Sequence, residues 1–222
     1  MCMQEAINAF LLGFPTLLSI VNPLSAAFTF RAVTADRSPR ERRLLARKVG
    51  MFSAMVMLVA LWAGSYILAF FGVTLAALRI AGGLVVALSG WDRLNAPERR
   101  EAVKQAQAAP AEGAEDVAFY PLTLPFTTGP GTIAVAVALG PGTRPLRSET
   151  IVFVLGMSTA ALAVAVIIWA SFGFADKLAS RLGPSGSRII TRLFAFLLMC
   201  IGVQILMTGV ADALGPMLAG HS

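Results

Sequence analysis

The sequence predicts an all-α membrane protein with six transmembrane helices, arranged as two inverted three-helix repeats in which the first helix of each half is discontinuous. Apolar residues make up 57% of the 222 positions and charged residues only 14%. Soluble globular chains have about 45–50% and about 25%, respectively. The sequence contains five runs of 19 to 30 residues without a charged side chain. A helix of about 20 apolar residues is long enough to cross the hydrocarbon core of a bilayer. The composition therefore excludes a typical soluble enzyme.

The uncharged runs place the predicted spans. They cover residues 6–30, 49–78, 118–143, 150–175 and 193–211. The second run is too long for one crossing, and Phe71-Gly72 offers a stop, so we predict a sixth span over 74–94. The first run exceeds the length of a signal-peptide core and has no preceding Lys or Arg, so we expect it to be retained as a helix.

The spans divide a single transmembrane domain, residues 1–222, into two halves. Residues 1–94 form the first half, 95–117 a cytoplasmic linker and 118–222 the second half. Because each half has an odd number of helices, the second half enters the membrane from the opposite side, as in inverted-repeat transporters. Small residues four apart, such as Gly83/Ala87 and Gly156/Ala160, indicate closely packed helices.

The positive charges predict the orientation. Segments 31–48, 92–117 and 176–192, interpreted as connections between spans, hold fifteen of the 18 Lys and Arg residues. Cations concentrate in cytoplasmic loops, so both termini are expected outside, in the periplasm of a bacterial inner membrane. The net charge of +6 is then explained by the cations of the cytoplasmic loops and their contact with the lipid bilayer. No nucleic-acid partner is expected. Ser38-Pro39-Arg40-Glu41 predicts a capping box at the start of the second span.

Prolines interrupt the first span of each half. Proline breaks a helical hydrogen bond, and in lipid the freed backbone persists only against protein or a water-filled cavity. Asn22-Pro23 predicts an N-cap followed by the first residue of a new half-helix, and Thr128-Gly129-Pro130-Gly131 predicts the same. Two half-helix N-termini would then face each other near the midplane, which suits a small carboxylate. The alternative is that both prolines only shape helix packing.

These interruptions supply the candidate site. The predicted substrate-binding residues are Asn22, Pro23, Ser25, Thr127, Thr128, Gly129, Pro130, Gly131 and Thr132. Arg79 and Arg192 are candidate gate or carboxylate-contact residues, and the competing interpretation of Arg79 is that its side chain snorkels to the interface. No catalytic residue, cofactor or metal is predicted, since no Asp, Glu, Lys or His lies at mid-depth and the two cysteines are far apart. A coupling H⁺ or Na⁺ would have to use hydroxyls and carbonyls.

Several motifs resemble the MarC family. They are Asn22-Pro23-Leu24, residues 78–83, the Pro121–Pro125 motif followed by residues 129–133, and Val203-Gln204. SnatA-type members of that family are small neutral amino-acid transporters. The resemblance implies six helices in two inverted halves, with a solute site at the two broken helices. The family commonly continues NPLGN(I/L)P, whereas residues 25–28 here read Ser-Ala-Ala-Phe, which alters the presumed site.

The resulting functional expectation is a secondary transporter of a small solute, foremost a small neutral amino acid, working by alternating access. The alternatives are a non-transporting scaffold or accessory protein, and an exporter of another metabolite or drug. An enzyme is not expected. The solute, the direction of transport, the coupling ion and the oligomeric state are left open by the sequence.

Overall fold

The computed structural model describes residues 2–95, 118–142 and 148–219. Across these ranges the chain is helical and contains no β-strand. The elements are α1 (Cys2–Val21), α2 (Pro23–Val33), α3 (Pro39–Phe70), α4 (Leu75–Asn95), a π-helical segment (Ala118–Thr127), α5 (Pro130–Leu139), α6 (Ser148–Gly173) and α7 (Ala175–Ala219). The predicted linker after Asn95 and the short connection at 143–147 lie outside the described residues.

Five stretches are long and apolar enough to cross a membrane. They are Met3–Arg31, Pro39–Phe70, Leu75–Asp92, Glu149–Gly173 and Arg192–Gly215. Each corresponds to a predicted span. The remaining run, 118–143, instead forms the π-helical segment and the shorter apolar helix Pro130–Leu139. It is not a single helix because the prolines within it interrupt the hydrogen-bond ladder.

Helix α3 begins and ends as its sequence predicts. The Ser38 backbone N–H donates to Glu41 Oε2 over 2.8 Å, and the Glu41 N–H donates to Ser38 Oγ over 3.3 Å. These reciprocal bonds complete the predicted capping box, with Pro39 in the first turn. The helix ends at Phe70, and Gly72 then adopts a φ of 68°, a left-handed conformation that glycine accepts without steric cost.

Residues 176–192, predicted as the loop between the last two spans, lie between the two apolar stretches Glu149–Gly173 and Arg192–Gly215 but are helical. Helix α7 runs without interruption for 45 residues from Ala175, and only Phe174 separates it from α6. Hydropathy distinguishes lipid from water but not helix from loop, and Lys and Arg are good helix formers. At 1.5 Å per residue α7 is about 68 Å long, so part of it extends beyond the hydrocarbon layer.

The helices pack mainly across the two halves of the chain. The most extensive contacts join α4 to α7, α1 to α6 and α3 to α6. Shorter elements follow the same pattern: α5 contacts α3 and α4, while α2 contacts α6 and α7. Among the larger contacts of the described ranges, only that between α6 and α7 joins two helices of the same half, and it is small. The two halves are therefore interdigitated rather than side by side.

Glycines allow α4 and α7 to approach backbone to backbone. A methyl group at Gly83 would overlap the backbone nitrogen of Leu206, and one at Gly202 would overlap that of Ala87. Small residues support helix association in membranes because packing, rather than hydrophobic exclusion, drives it there. The close approach predicted for Gly83/Ala87 is thus confirmed.

Candidate functional site

The first break is a single residue. Asn22 lies between α1 and α2 and has a φ of 49°, in the left-handed region that asparagine tolerates better than most residues. Its N–H donates to Leu18 O, which ends α1. Its Oδ1 accepts from the Ser25 N–H over 3.2 Å, and its carbonyl accepts from the Ala26 N–H over 3.0 Å. The predicted N-cap at Asn22, with Pro23 as the first helical residue, is confirmed.

The second break is formed by the π-helical segment, whose turns are wider than those of an α-helix. Tyr120 and Leu124 have extended backbones within the π-helical segment, and each precedes a proline, Pro121 and Pro125. A residue before proline is pushed out of the helical region by the pyrrolidine ring, which accounts for both kinks. Helix α5 then begins at Pro130 with Gly129 as N-cap.

The two helix starts differ in capping. Gly129 has an extended backbone, with φ −75° and ψ −178°, and makes no side-chain cap. Its carbonyl accepts from the Ile133 N–H over 3.1 Å. The N-cap therefore gives the Gly131 and Thr132 N–H groups no side-chain acceptor, and the positive end of the α5 dipole is not compensated there.

Threonine hydroxyls bind the carbonyls of the wide turns. Thr123 Oγ1 donates to Ala118 O and Thr127 Oγ1 to Leu122 O, both over 2.7 Å. Thr128 Oγ1 and the Thr128 N–H both donate to Thr123 O, over 3.3 and 2.9 Å. All three side chains are buried. These bonds reach back five residues rather than four, as the π-helical winding requires.

The two breaks lie on elements that contact each other. Helix α2 packs against the π-helical segment and α1 packs against α5. Of the predicted site residues, the structure buries Asn22, Pro23, Ser25, Thr127, Thr128 and Thr132, leaves Gly129 and Gly131 half-buried, and exposes Pro130. The polar ones are at most 6% exposed. A methyl group at Gly131 would overlap Val86 of α4, so this glycine also serves packing.

The two candidate gate arginines lie elsewhere. Arg79 Nη1 contacts Asp212 Oδ2 in an ion pair that joins α4 to α7. Arg192 is exposed on α7. A gate or carboxylate contact at either arginine stays a prediction. The sequence did not indicate this pairing, although both charges fall on the side predicted to be outside.

Four buried hydroxyls escaped the sequence reasoning, and one of them, that of Thr34, donates to Phe30 O over 2.8 Å. Thr123, between the two prolines of the π-helical segment, is fully buried and hydrogen-bonded. Ser53 and Ser65, on the buried face of α3, have no hydrogen-bond partner among the described residues. Such orphan hydroxyls are uncommon in folded proteins. The described ranges contain no group of three His, Cys, Asp or Glu side chains that could hold a metal ion.

The apolar helices and the two embedded breaks define a multi-pass integral membrane protein. Residues 7–214 match the MarC family of integral membrane proteins, and the chain belongs to this family. It is similar to UPF0056 inner membrane protein MarC of Citrobacter koseri, 32% identical over 95% of this chain and 97% of the relative. Proteins of the same name from Escherichia coli O1:K1 and Salmonella paratyphi B are 32% and 33% identical at the same coverage. No solved structure matches the chain. The chain is therefore a multi-pass inner-membrane protein.

Proposed function

We propose that the protein is a secondary transporter that moves a small neutral amino acid by alternating access. The observation that carries the proposal is the pairing of two breaks. Each break interrupts an uncharged apolar run, each is lined by buried hydroxyl or amide groups, and the elements that carry them contact each other. Broken helices at membrane depth are the recurrent solute sites of secondary transporters.

The charges around the breaks favour a solute with no net charge. Runs 6–30 and 118–143 contain no charged side chain. A buried net charge without a partner costs far more than a neutral group. A zwitterion fits better, because its carboxylate can meet the N–H groups of Gly131 and Thr132 at the positive end of α5. Its ammonium group can meet carbonyl oxygens of the π-helical segment.

Asn22 adds a donor at the opposite break. Its Oδ1 accepts from the Ser25 N–H, so its Nδ2, with two donor hydrogens, points away from that bond. A solute carboxylate between the breaks could therefore accept from both sides. Position 22 then contributes a neutral donor to the site, besides capping α2.

Alternating access requires two equivalent arrangements of the halves, and the contact pattern is consistent with an inverted repeat. In an inverted repeat, α1 would be equivalent to the π-helical segment, α2 to α5, α3 to α6 and α4 to α7. The contact between α3 and α5 then corresponds to the contact between α2 and α6. In the same way, the contact between α4 and α5 corresponds to the contact between α2 and α7. In this proposal the burial of the polar groups at the breaks is that of a closed state, from which rocking of one half against the other would open either side.

The test uses a substitution that preserves the cap. Asn22→Asp keeps an N-cap of equal strength and tolerates a left-handed φ, but replaces a neutral donor with an anionic acceptor. The matched control is Asn8→Asp, the same chemical change at an exposed position of α1. Counterflow of labelled neutral amino acids is measured in proteoliposomes. We expect Asn22→Asp to reduce flux at least about tenfold, as loss of one charge-assisted hydrogen bond implies, and Asn8→Asp to leave it unchanged.

Three outcomes separate the alternatives. Equal flux in Asn22→Asp and wild type would remove the solute site from the first break. No flux of any solute by folded wild-type protein would contradict transport and favour a scaffold or accessory role. Flux of another metabolite or a drug, still lost in Asn22→Asp, would retain the site and replace the amino acid.

A further inference from the structure

A polar cleft lies at the cation-rich end of the helix bundle, away from the two breaks. It is formed where α2 ends, α3 begins and α6 passes into α7. It is an open cleft of about 430 Å³, counting the space at its mouth. Arg31 lies about 12 Å along α2 from Pro23, at 1.5 Å per residue, so the cleft is distinct from the candidate solute site.

Three arginines line this cleft. They are Arg31 at the end of α2, and Arg42 and Arg43 in the second turn of α3. Arg42 is held in place, because its Nε donates to Arg37 O and its Nη2 to Ala35 O, each over 3.0 Å. Arg43 makes no hydrogen bond or ion pair with the residues that the structure describes. Its guanidinium is available to a ligand.

The described lining of the cleft carries a net positive charge. Its lining, within the described residues, includes neither Asp nor Glu. The nearest acid along α3 is Glu41, whose Oε2 accepts from the Ser38 N–H and Ser38 Oγ in the capping box. The positive end of the α3 dipole adds to the same potential. The cleft is therefore electrostatically suited to an anion.

Two stacked aromatic side chains also line the cleft. The rings of Phe30 and Phe172 stack with centroids 4.6 Å apart, and both side chains are buried. The apolar stretches Met3–Arg31 and Glu149–Gly173 both end at this level. The cleft thus lies at the boundary between hydrocarbon and water, where lipid phosphates are found, and basic pockets between transmembrane helices bind anionic head groups.

We propose that this cleft, called here the arginine cleft (Arg31, Arg42, Arg43, Phe30 and Phe172), is a binding site for a phosphate group. Guanidinium groups bind phosphate oxygens bidentately, and three arginines line this one cleft. The phosphate can come from the head group of an anionic phospholipid or from phosphate in solution. The arginine cleft then anchors the α2–α3 turn and the α6–α7 junction to one ligand.

The test compares two double variants that remove the same charge. Arg31→Gln/Arg43→Gln changes the arginine cleft but keeps Arg42, which holds the turn. Arg40→Gln/Arg47→Gln changes two exposed arginines of α3 that do not line it. Full-length protein in uncharged detergent is titrated at constant ionic strength with dihexanoyl-phosphatidylglycerol, dihexanoyl-phosphatidylcholine or inorganic phosphate. The readout is the melting temperature, which rises when a ligand binds only the folded state.

We expect phosphatidylglycerol to raise the melting temperature and zwitterionic phosphatidylcholine to have no effect. The concentration needed for half the rise should increase at least about tenfold in Arg31→Gln/Arg43→Gln, given the strength of hydrogen bonds to charged groups. It should change less than about threefold in Arg40→Gln/Arg47→Gln, since exposed charges are screened. A rise with inorganic phosphate alone assigns the site to phosphate in solution and supports the cleft equally.

Two results would overturn the proposal. One is the absence of a rise with either anionic probe in wild-type protein. The other is an equal loss in both double variants, which would indicate diffuse attraction to a basic surface. Because binding is measured without flux, the proposal stands or falls independently of amino-acid transport.

Discussion

The two helix breaks differ in how they pair the backbone N–H and C=O groups that an interrupted helix leaves without partners. At the first, one left-handed asparagine ends α1 by donating to Leu18 O and caps α2 by accepting from the Ser25 and Ala26 N–H groups. At the second, a π-helical segment spreads the interruption over Ala118–Thr127, and threonine hydroxyls bind its carbonyls. Helix α5 then starts at a glycine with no side-chain cap.

Because of this difference, we expect the two breaks to have different roles. The hydrogen bonds observed at the first break all involve Asn22, so its stability rests mainly on this residue. The second depends on neighbouring helices and keeps N–H groups at the start of α5 without a side-chain acceptor from Gly129. Uncapped helix N-termini bind anionic groups. We therefore expect damage to the first break to lower stability most, and changes at the second to affect transport out of proportion to stability.

The largest expected effect is that of Asn22→Ala. Loss of the N-cap costs about 1 kcal/mol, and a left-handed alanine roughly 1–2 kcal/mol. The free energy of unfolding should fall by about 2–3 kcal/mol in SDS titrations of mixed micelles. Asn22→Gly should cost less than about 1 kcal/mol, because glycine adopts positive φ freely and is itself a tolerated N-cap. Equal costs would show that the first break does not depend on this backbone geometry.

The next effect tests how far the second break depends on α4. Gly131→Ala places a methyl group against Val86 and should cost about 1–3 kcal/mol, as overpacking does. Val86→Ala should relieve that clash, so the double-mutant cycle should show a coupling of at least about 1 kcal/mol. Gly215→Ala is the control, because a methyl group there meets nothing within 4 Å. Additive costs would mean that α5 shifts away from α4 freely.

The smallest effect on stability is expected for Gly129→Ser, at the N-cap of α5. This variant separates an effect on solute binding from an effect on folding. Gly129 has a backbone conformation open to any residue, so Gly129→Ser should add a cap and a few tenths of a kcal/mol. The serine hydroxyl would accept from the Thr132 N–H and compete with the solute. Flux in proteoliposomes should fall although the protein is no less stable. Unchanged flux would remove the start of α5 from the solute site.

Local signals in the sequence predicted the breaks well. The Asn22-Pro23 start and the Ser38 capping box depend on atoms within three residues of each other, and such short-range bonds follow from residue type alone. The π-helical winding was not predicted. Two X-Pro pairs indicate an interruption, but the carbonyls that the Thr123 and Thr127 hydroxyls bind depend on how the whole segment is packed.

The sequence by itself determined the class of protein, the apolar stretches, the helix caps and the places where two runs are broken. Hydropathy and capping act within one or two turns, so they can be read from neighbouring residues. The tertiary structure decided that α7 is continuous, that Arg79 pairs with Asp212 across 133 positions, and that three arginines line one cleft. Helix association in lipid depends on the fit of distant surfaces, which no local pattern encodes.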